Sequence, residues 1–228
     1  MCRSWIGSGS KQLSFMFRGL ARYALRKLHL YGLYSLAIKG PLHDDGWFVS
    51  FEEECPLDAQ GRPLPFITYP AIEFLQRRVH SSMSVFEYGA GMSTLWWASR
   101  VKEVVACEHD PEWYRKVSEK APPNVSVIYV PLVYDGAYCK TILQYTDRFD
   151  FAVIDGRDRV RCAMNALPAL KTGGVIVWDN SDRREYADGY EFLRSHGFRS
   201  IEFIGLAPGI NEKTMTSVFY RPVNCLGI

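Results

Sequence analysis

Two carboxylates and two glycines carry the first chemistry legible in this chain. In residues 85–94, Val-Phe-Glu-Tyr-Gly-Ala-Gly-Met-Ser-Thr, an apolar run meets Glu87 and then turns through Gly89 and Gly91 into a segment of helical character. A strand-to-helix turn built on glycine leaves bare backbone against which a nucleoside can rest. Glu108, seventeen residues past Gly91, closes a second apolar run, Val104-Val105-Ala106-Cys107, where a carboxylate can accept hydrogen bonds from both hydroxyls of a ribose. The pattern departs from a dinucleotide fingerprint. Leu95 stands in place of the third glycine, and Glu87 puts negative charge where a diphosphate disfavours it. A carboxylate at that place instead suits a cationic amino group. The plainer alternative, a βα turn capped by Ser93, leaves the spacing of Glu108 unexplained.

Ligands of parallel sheets collect at the carboxyl ends of strands, and three predicted strand ends carry acids. They are Glu108-His109-Asp110, the run Phe149 to Gly156 with Asp155, and the run Val175 to Asn180 with Asp179. Asp155, Asp179 and Asn180 offer hard oxygen donors of the kind that bind Mg²⁺ or another divalent cation. The alternative gives them plainer work: Asp155 borders a ligand, Asp158 caps the helix that follows, and Asp179-Asn180 shapes a loop. Arg157, Arg159, Arg161, Arg183 and Arg184 cluster after the same strands, either as a solvated face or as the rim of a cleft for an anionic substrate.

The segment Glu87-Tyr-Gly89-Ala-Gly91-Met-Ser93 resembles motif I of the class I S-adenosylmethionine (SAM)-dependent methyltransferases, Glu-x-Gly-x-Gly-x-Ser, and Glu108 stands where that family keeps its ribose-binding acid. The resemblance implies SAM as cofactor, held by Tyr69, Glu87, Gly89, Gly91, Ser93, Thr94, Glu108, His109 and Asp155. Thr68 and Tyr69, just ahead of Pro70, are placed by related folds near the SAM carboxylate, and His109 near the adenine. Across residues 70–180 the strand-end acids are similar to those of the metal-dependent O-methyltransferases of catechols and caffeoyl esters. This implies Asp155, Asp179 and Asn180 as metal ligands. Those enzymes keep a lysine three residues after the first metal aspartate; here that residue is Asp158, so the catalytic candidates are Asp155 and Asp158. The stretches 85–98, 149–161 and 216–221 also resemble a group of mostly uncharacterised bacterial methyltransferase-like proteins.

The elements needed to position these residues alternate regularly. Strands are predicted at 84–88, 103–108, 125–130, 149–154 and 174–178, separated by helices at 93–100, 111–119 and 159–170, with a further helix from Ala71 to Val79 ahead of them. Short β-branched strands between helices predict a Rossmann-like, doubly wound, mostly parallel sheet. A helix at 186–196 and strands at 198–204 and 215–221 predict a closing antiparallel hairpin. Residues 42–68 are dense in turn signals and read as a loop-rich lead-in; with 131–148 and 205–214 they are the predicted cover of the substrate cleft. Trp96, Trp97 and Trp113 follow the cofactor loops and read mainly as core.

Charge divides the 228 residues into two predicted regions, an appendage (1–40) and one domain (41–228). The first 40 residues hold seven basic side chains and no acid; the remainder holds 20 basic and 25 acidic. An acidic domain lacks the electrostatic footprint of nucleic-acid binding. Lys11, Arg18, Arg22 and Arg26 recur on one face of a predicted amphipathic helix over 11–38, which either packs on the domain or meets a membrane surface. An acid-poor, arginine-rich start also fits an organelle transit sequence. The apolar run from Leu28 to Ile38 falls short of a transmembrane span. Six cysteines without a Cys-x-x-Cys pair predict reduced thiols and a cytoplasmic protein. The expected activity is SAM-dependent methyl transfer, O-directed, to a small or lipid- or saccharide-linked hydroxylated acceptor. The alternative from another class is a non-catalytic SAM-binding or membrane-recruited partner-binding module.

Overall fold

Strand β1 (Ser84–Tyr88) is buried at every residue, as befits a run with apolar groups on both faces. It pairs in parallel with β2 (Glu103–Glu108) on one side and β4 (Phe149–Ile154) on the other. The computed structural model describes residues 19–228. Within it, β3 (Val125–Tyr129), β5 (Leu170–Asp179), β6 (Arg199–Gly205) and β7 (Thr214–Tyr220) complete a seven-stranded sheet in the order β3-β2-β1-β4-β5-β7-β6. β7 runs antiparallel to both β5 and β6. Strand order reverses between β1 and β4, so a crevice opens there at the carboxyl ends.

Alternation along the strands feeds two cores. Phe86, Tyr88, Ile154 and Trp178 point to one face, with Tyr138, Cys139, Ile142 and Cys162. Val85, Phe151, Val153 and Val177 point to the other, with Leu75, Trp96 and Trp97. Each fully buried large side chain contributes about 1.5–3 kcal/mol relative to exposure. Trp113, by contrast, stays partly exposed at the mouth of the crevice.

Several predicted boundaries move. β5 begins at Leu170 because its first residues pair back to Phe149 despite Gly173 and Gly174. The helix expected to reach residue 170 spans Arg159–Ala166 and tightens into a 3₁₀ turn, Leu167–Ala169, where Pro168 removes a donor. The lead-in carries two short helices, Pro41–Asp44 and Trp47–Glu52. The second docks through Trp47 Nε1, which donates to the Ile210 carbonyl at 2.7 Å. Residues 131–148 are part cover and part core: the helix Ala137–Lys140 and the turn Thr141–Gln144 bury Tyr138, Cys139 and Ile142.

The predicted helix over 11–38 is broken. Residues 19–27 are helical, His29 takes a left-handed conformation, and a second helix spans Tyr31–Ile38. Lys11 and Arg18 lie outside the described residues. Helix Tyr31–Ile38 fully buries none of its residues, though Tyr31, Ser35 and Ala37 are half-buried. No helix among the described residues is long and apolar enough to cross a membrane. Cys55, Cys107, Cys139, Cys162 and Cys225 are free thiols.

Candidate functional site

The loop after β1 is shaped by close backbone contact. Gly89 adopts φ +91°, and a Cβ there would stand 3.2 Å from the Gly156 backbone. A Cβ on Gly156 would collide with the Tyr138 hydroxyl at 2.1 Å, so two glycines let the β1 and β4 loops touch. Beside them lies a cleft of about 700 Å³, lined by Gly89, Ala90, Gly91, Ser93, Glu108, His109, Asp110, Trp113, Asp155 and Arg157. Cys55, Pro56 and Phe66 also line it, from the lead-in that the sequence marks as cleft cover.

Glu108 organises one wall. Its Oε2 accepts from the Ala90 N–H at 2.9 Å, and its Oε1 accepts from the His109 and Asp110 N–H groups at 2.7 and 2.8 Å. Trp113 Nε1 donates to the Ala90 carbonyl, so this peptide is gripped on both sides. The result is a bare-backbone ledge with a carboxylate at its edge, open to the cleft.

Glu87 stands beneath that ledge and outside the cleft lining. It is fully buried, and its two oxygens accept from the Ser93 and Thr94 hydroxyls. Thr94 Oγ1 also accepts from the Gly91 N–H at 2.9 Å, locking the first helical turn to the strand end. Burial pushes the Glu87 carboxyl up to about 7, against the pull of the two hydroxyls and with a further push from Glu108. An acid whose folded pKa is raised stabilises the fold most below its ordinary value of 4.5, and loses that contribution as pH rises through about 7. Urea unfolding between pH 4.5 and 8 should therefore favour Glu87→Gln over the parent by a further ~3 kcal/mol at the alkaline end. Parallel stability curves for the two proteins would show that the carboxyl is not perturbed.

Asp155 lines the cleft at the end of β4. Burial and the neighbouring Asp179 raise it well above the usual carboxylate range, opposed by Arg159. Asp179 is buried at the end of β5; its Oδ1 accepts from Thr216 Oγ1 at 2.7 Å, and burial pushes it up to about 6. Between these strand ends sits Arg159, only 7% exposed. Its guanidinium donates to the Asp155 and Gly156 carbonyls at 2.7 and 3.0 Å, to the Asp179 carbonyl, and to Asp155 Oδ1 at 3.2 Å.

That arrangement corrects the metal expectation for Asp155, Asp179 and Asn180. A fixed guanidinium already faces the strand ends where a divalent cation would have to approach, and like charges repel. Asn180 is turned away: its Nδ2 donates to Thr214 Oγ1 at 3.0 Å, and its Oδ1 accepts from Arg183 at 3.2 Å. Among the described residues no three His, Cys, Asp or Glu side chains come together as a ligand set. The residues present do not fit the ion.

Asp158, the other catalytic candidate, lines a neighbouring pocket with Tyr134, Arg157 and Arg183. It holds a left-handed conformation at the helix start, makes no side-chain cap, and accepts from the Asp135 N–H at 2.8 Å outside the cleft. Tyr69 begins the helix Tyr69–Gln76 and packs beside the second core, with its hydroxyl buried and not lining the cleft. Thr68 is tied to the hairpin through Thr216 Oγ1 and the Phe203 carbonyl. Arg159 was legible in the sequence only as one of a cluster of arginines. The signal that singles it out is its i,i+4 spacing from Asp155.

Comparison with known proteins accords with this geometry. Residues 86–181 match a family described as a methyltransferase domain. No protein of curated function matches the chain by sequence. Among solved structures, a SAM-dependent O-methyltransferase from Thermotoga maritima is 15% identical, with 69% of this chain and 67% of that one covered and a TM-score of 0.53. An rRNA methylase from Streptococcus thermophilus is 17% identical over 69% of this chain and 99% of its own, with a TM-score of 0.53. Spermidine synthase from Thermotoga maritima is 13% identical over 65% of this chain, with a TM-score of 0.51, and the chain spans only 56% of its length. At such identities the structural likeness is one of fold. Residues 86–181 thus carry a match to a methyltransferase domain, set within a sheet of the Rossmann-like methyltransferase type.

Proposed function

We propose that the enzyme methylates an oxygen of a small or lipid- or saccharide-linked hydroxylated acceptor, with the SAM site in the cleft between β1, β2 and β4. The observation that carries this reading is the ledge formed by Gly89, Ala90 and Gly91, pinned by Glu108 and open to a cleft that Asp155 also lines. Gly89, Gly91, Glu108 and His109 would hold the cofactor, while Glu87, Ser93 and Thr94 brace the loop from below. SAM, when bound, supplies a methyl group on a sulfonium, so the protein must chiefly orient the acceptor and exclude water. Asp155, whose carboxyl is held near the cleft with raised proton affinity, is suited to take the acceptor's proton. The acidic balance of residues 41–228 favours a small acceptor over a nucleic acid.

The test is transfer of label from methyl-labelled SAM to a cell extract, followed by separation into small-molecule, lipid, protein and RNA fractions. Label in the small-molecule or lipid fraction is expected. Label in RNA would overturn the acceptor class, and cofactor binding without any transfer would support the non-catalytic module instead.

A second reading concerns residues 1–40 as an appendage to the domain of residues 41–228, in contact with a membrane surface. Leu20, Leu28 and Leu33 are each about two-thirds exposed, on the helix of residues 19–27, in the turn after it and on helix Tyr31–Ile38, and Arg22, Arg26 and Lys27 lie on the first helix without a neighbouring acid. Arg22 and Arg26 fold over the Tyr31 ring at 5.0 and 5.1 Å, keeping their charge at the edge of this apolar surface. Exposed leucines beside cations suit an anionic bilayer. The full chain should float with phosphatidylglycerol vesicles and not with phosphatidylcholine vesicles, and Leu28→Glu with Leu33→Glu should abolish flotation. Flotation that ignores both changes would refute this contact.

A further inference from the structure

A second, polar pocket of about 290 Å³ adjoins the cleft, sharing Gly156 and Arg157 with it. Tyr134, Arg183 and Tyr186 form its outer wall. We propose that this pocket receives the acceptor and that the acceptor carries an anionic group, a phosphate or a carboxylate, held by Arg157 and Arg183. The inference rests on the methyltransferase reading of the adjoining cleft.

The charges around the pocket decide it. Five ionic side chains line it: Arg157, Arg159, Arg183, Asp158 and Glu185. Arg159 is committed to Asp155 and to strand-end carbonyls. Asp158 is partly satisfied by the Asp135 N–H. Arg183 contacts only uncharged groups, the Tyr186 hydroxyl at 3.4 Å and the Asn180 amide oxygen at 3.2 Å. Arg157 forms no ion pair or side-chain hydrogen bond among the described residues, and both arginines are exposed. Two planar guanidiniums thus line one polar hollow without a carboxylate in contact, and with Arg159 they outnumber the two acids there, Asp158 and Glu185. That is a donor arrangement for bidentate recognition of an oxyanion.

The backbone holds this arrangement. Asp158 and Asn180 both adopt left-handed conformations, and the turn at Asn180 is closed by the Arg183 N–H donating to its carbonyl at 3.3 Å. Two non-glycine residues in that region, one after β4 and one at the end of β5, re-aim the chain so that arginines from two loops converge. Tyr134 and Tyr186 add aromatic walls, so a ring bearing the anionic group fits the available space.

Calorimetry on the full chain, with and without saturating S-adenosylhomocysteine, tests this with three probes: phenyl phosphate, benzoate and phenol. At least one of the two anions should bind roughly tenfold more tightly than phenol, and its identity separates a phosphate site from a carboxylate site. Arg157→Gln and Arg183→Gln should each weaken the anion about fivefold or more, while Arg183→Gln leaves S-adenosylhomocysteine affinity unchanged. Both arginines are exposed, so folding should survive, and circular dichroism confirms it. Equal binding of phenol and the anions, or full anion binding to the double variant, would overturn the proposal. If S-adenosylhomocysteine binds and neither anion does, this inference alone fails. If an anion binds as expected and S-adenosylhomocysteine does not, the pocket stands and the cofactor reading falls.

Discussion

Glu108→Ala should weaken S-adenosylhomocysteine binding by roughly 100-fold, through two separable losses. The first is direct: a carboxylate at the edge of the cleft accepts ribose hydroxyls by charge-assisted hydrogen bonds, worth about 1.5–3 kcal/mol each. The second is structural, because the same carboxylate accepts from the Ala90, His109 and Asp110 N–H groups. Removing it frees the ledge on which the cofactor would lie, and a mobile ledge must be ordered again on binding. Glu108→Gln separates the two. One amide oxygen can still accept from part of the loop, but the NH₂ group cannot replace the second carboxylate oxygen, so an intermediate loss is expected. Isothermal titration of the three proteins gives the comparison. Unchanged affinity in Glu108→Ala would remove the ribose assignment and, with it, the main support for the orientation of the cofactor.

The sequence was most informative where one residue type admits one physical use. Gly89 and Gly156 approach backbone to backbone, and only the first had been singled out, because its partner lies 67 residues away and spacing does not show which loops meet. The five parallel strands and the closing hairpin were readable from apolar runs separated by helices, and the sheet contains all seven. Strand ends, however, do not disclose where the chain turns next. Glu87 and Glu108 both close buried strands, yet one is sealed beneath Ser93 and Thr94 while the other reaches the cleft. Asp155 and Asp179 converge in the neighbourhood that their positions implied, but Arg159 lies against that junction. Turn residues at Asp44-Asp45-Gly46 concealed the short helix Trp47–Glu52, whose stability comes from Trp47 stacking on Phe51 and from docking on the distant Ile210 carbonyl. The docking contact is tertiary, and the helix is too short for its periodicity to stand out.

Arg159→Met should be the most damaging single change to the fold. The guanidinium satisfies carbonyls at the ends of β4 and β5 and is the counter-charge of Asp155, so the variant leaves acceptors unpaired in a buried place. Breaking a buried pair by removing one partner costs about 3–5 kcal/mol, even where the intact pair adds little net stability. The cost should depend on pH, and its sign follows from the two aspartates. Arg159 lowers the proton affinity of both Asp155 and Asp179, so its loss raises both further. Acids with raised folded pKa values favour the fold when protonated and disfavour it as pH climbs. The deficit of the variant should therefore be present at pH 5, from the unpaired carbonyls, and grow further toward pH 8, as the parent Asp179 titrates at about 6. Arg159→Lys restores charge with a shorter reach and fewer directed donors, and should recover the pH dependence better than the absolute stability. Urea unfolding of the parent and both variants at pH 5 and 8 measures this directly. A deficit that is the same at both pH values would mean that Arg159 acts through its carbonyl hydrogen bonds and packing alone, and that Asp155 and Asp179 do not depend on it for their charge state.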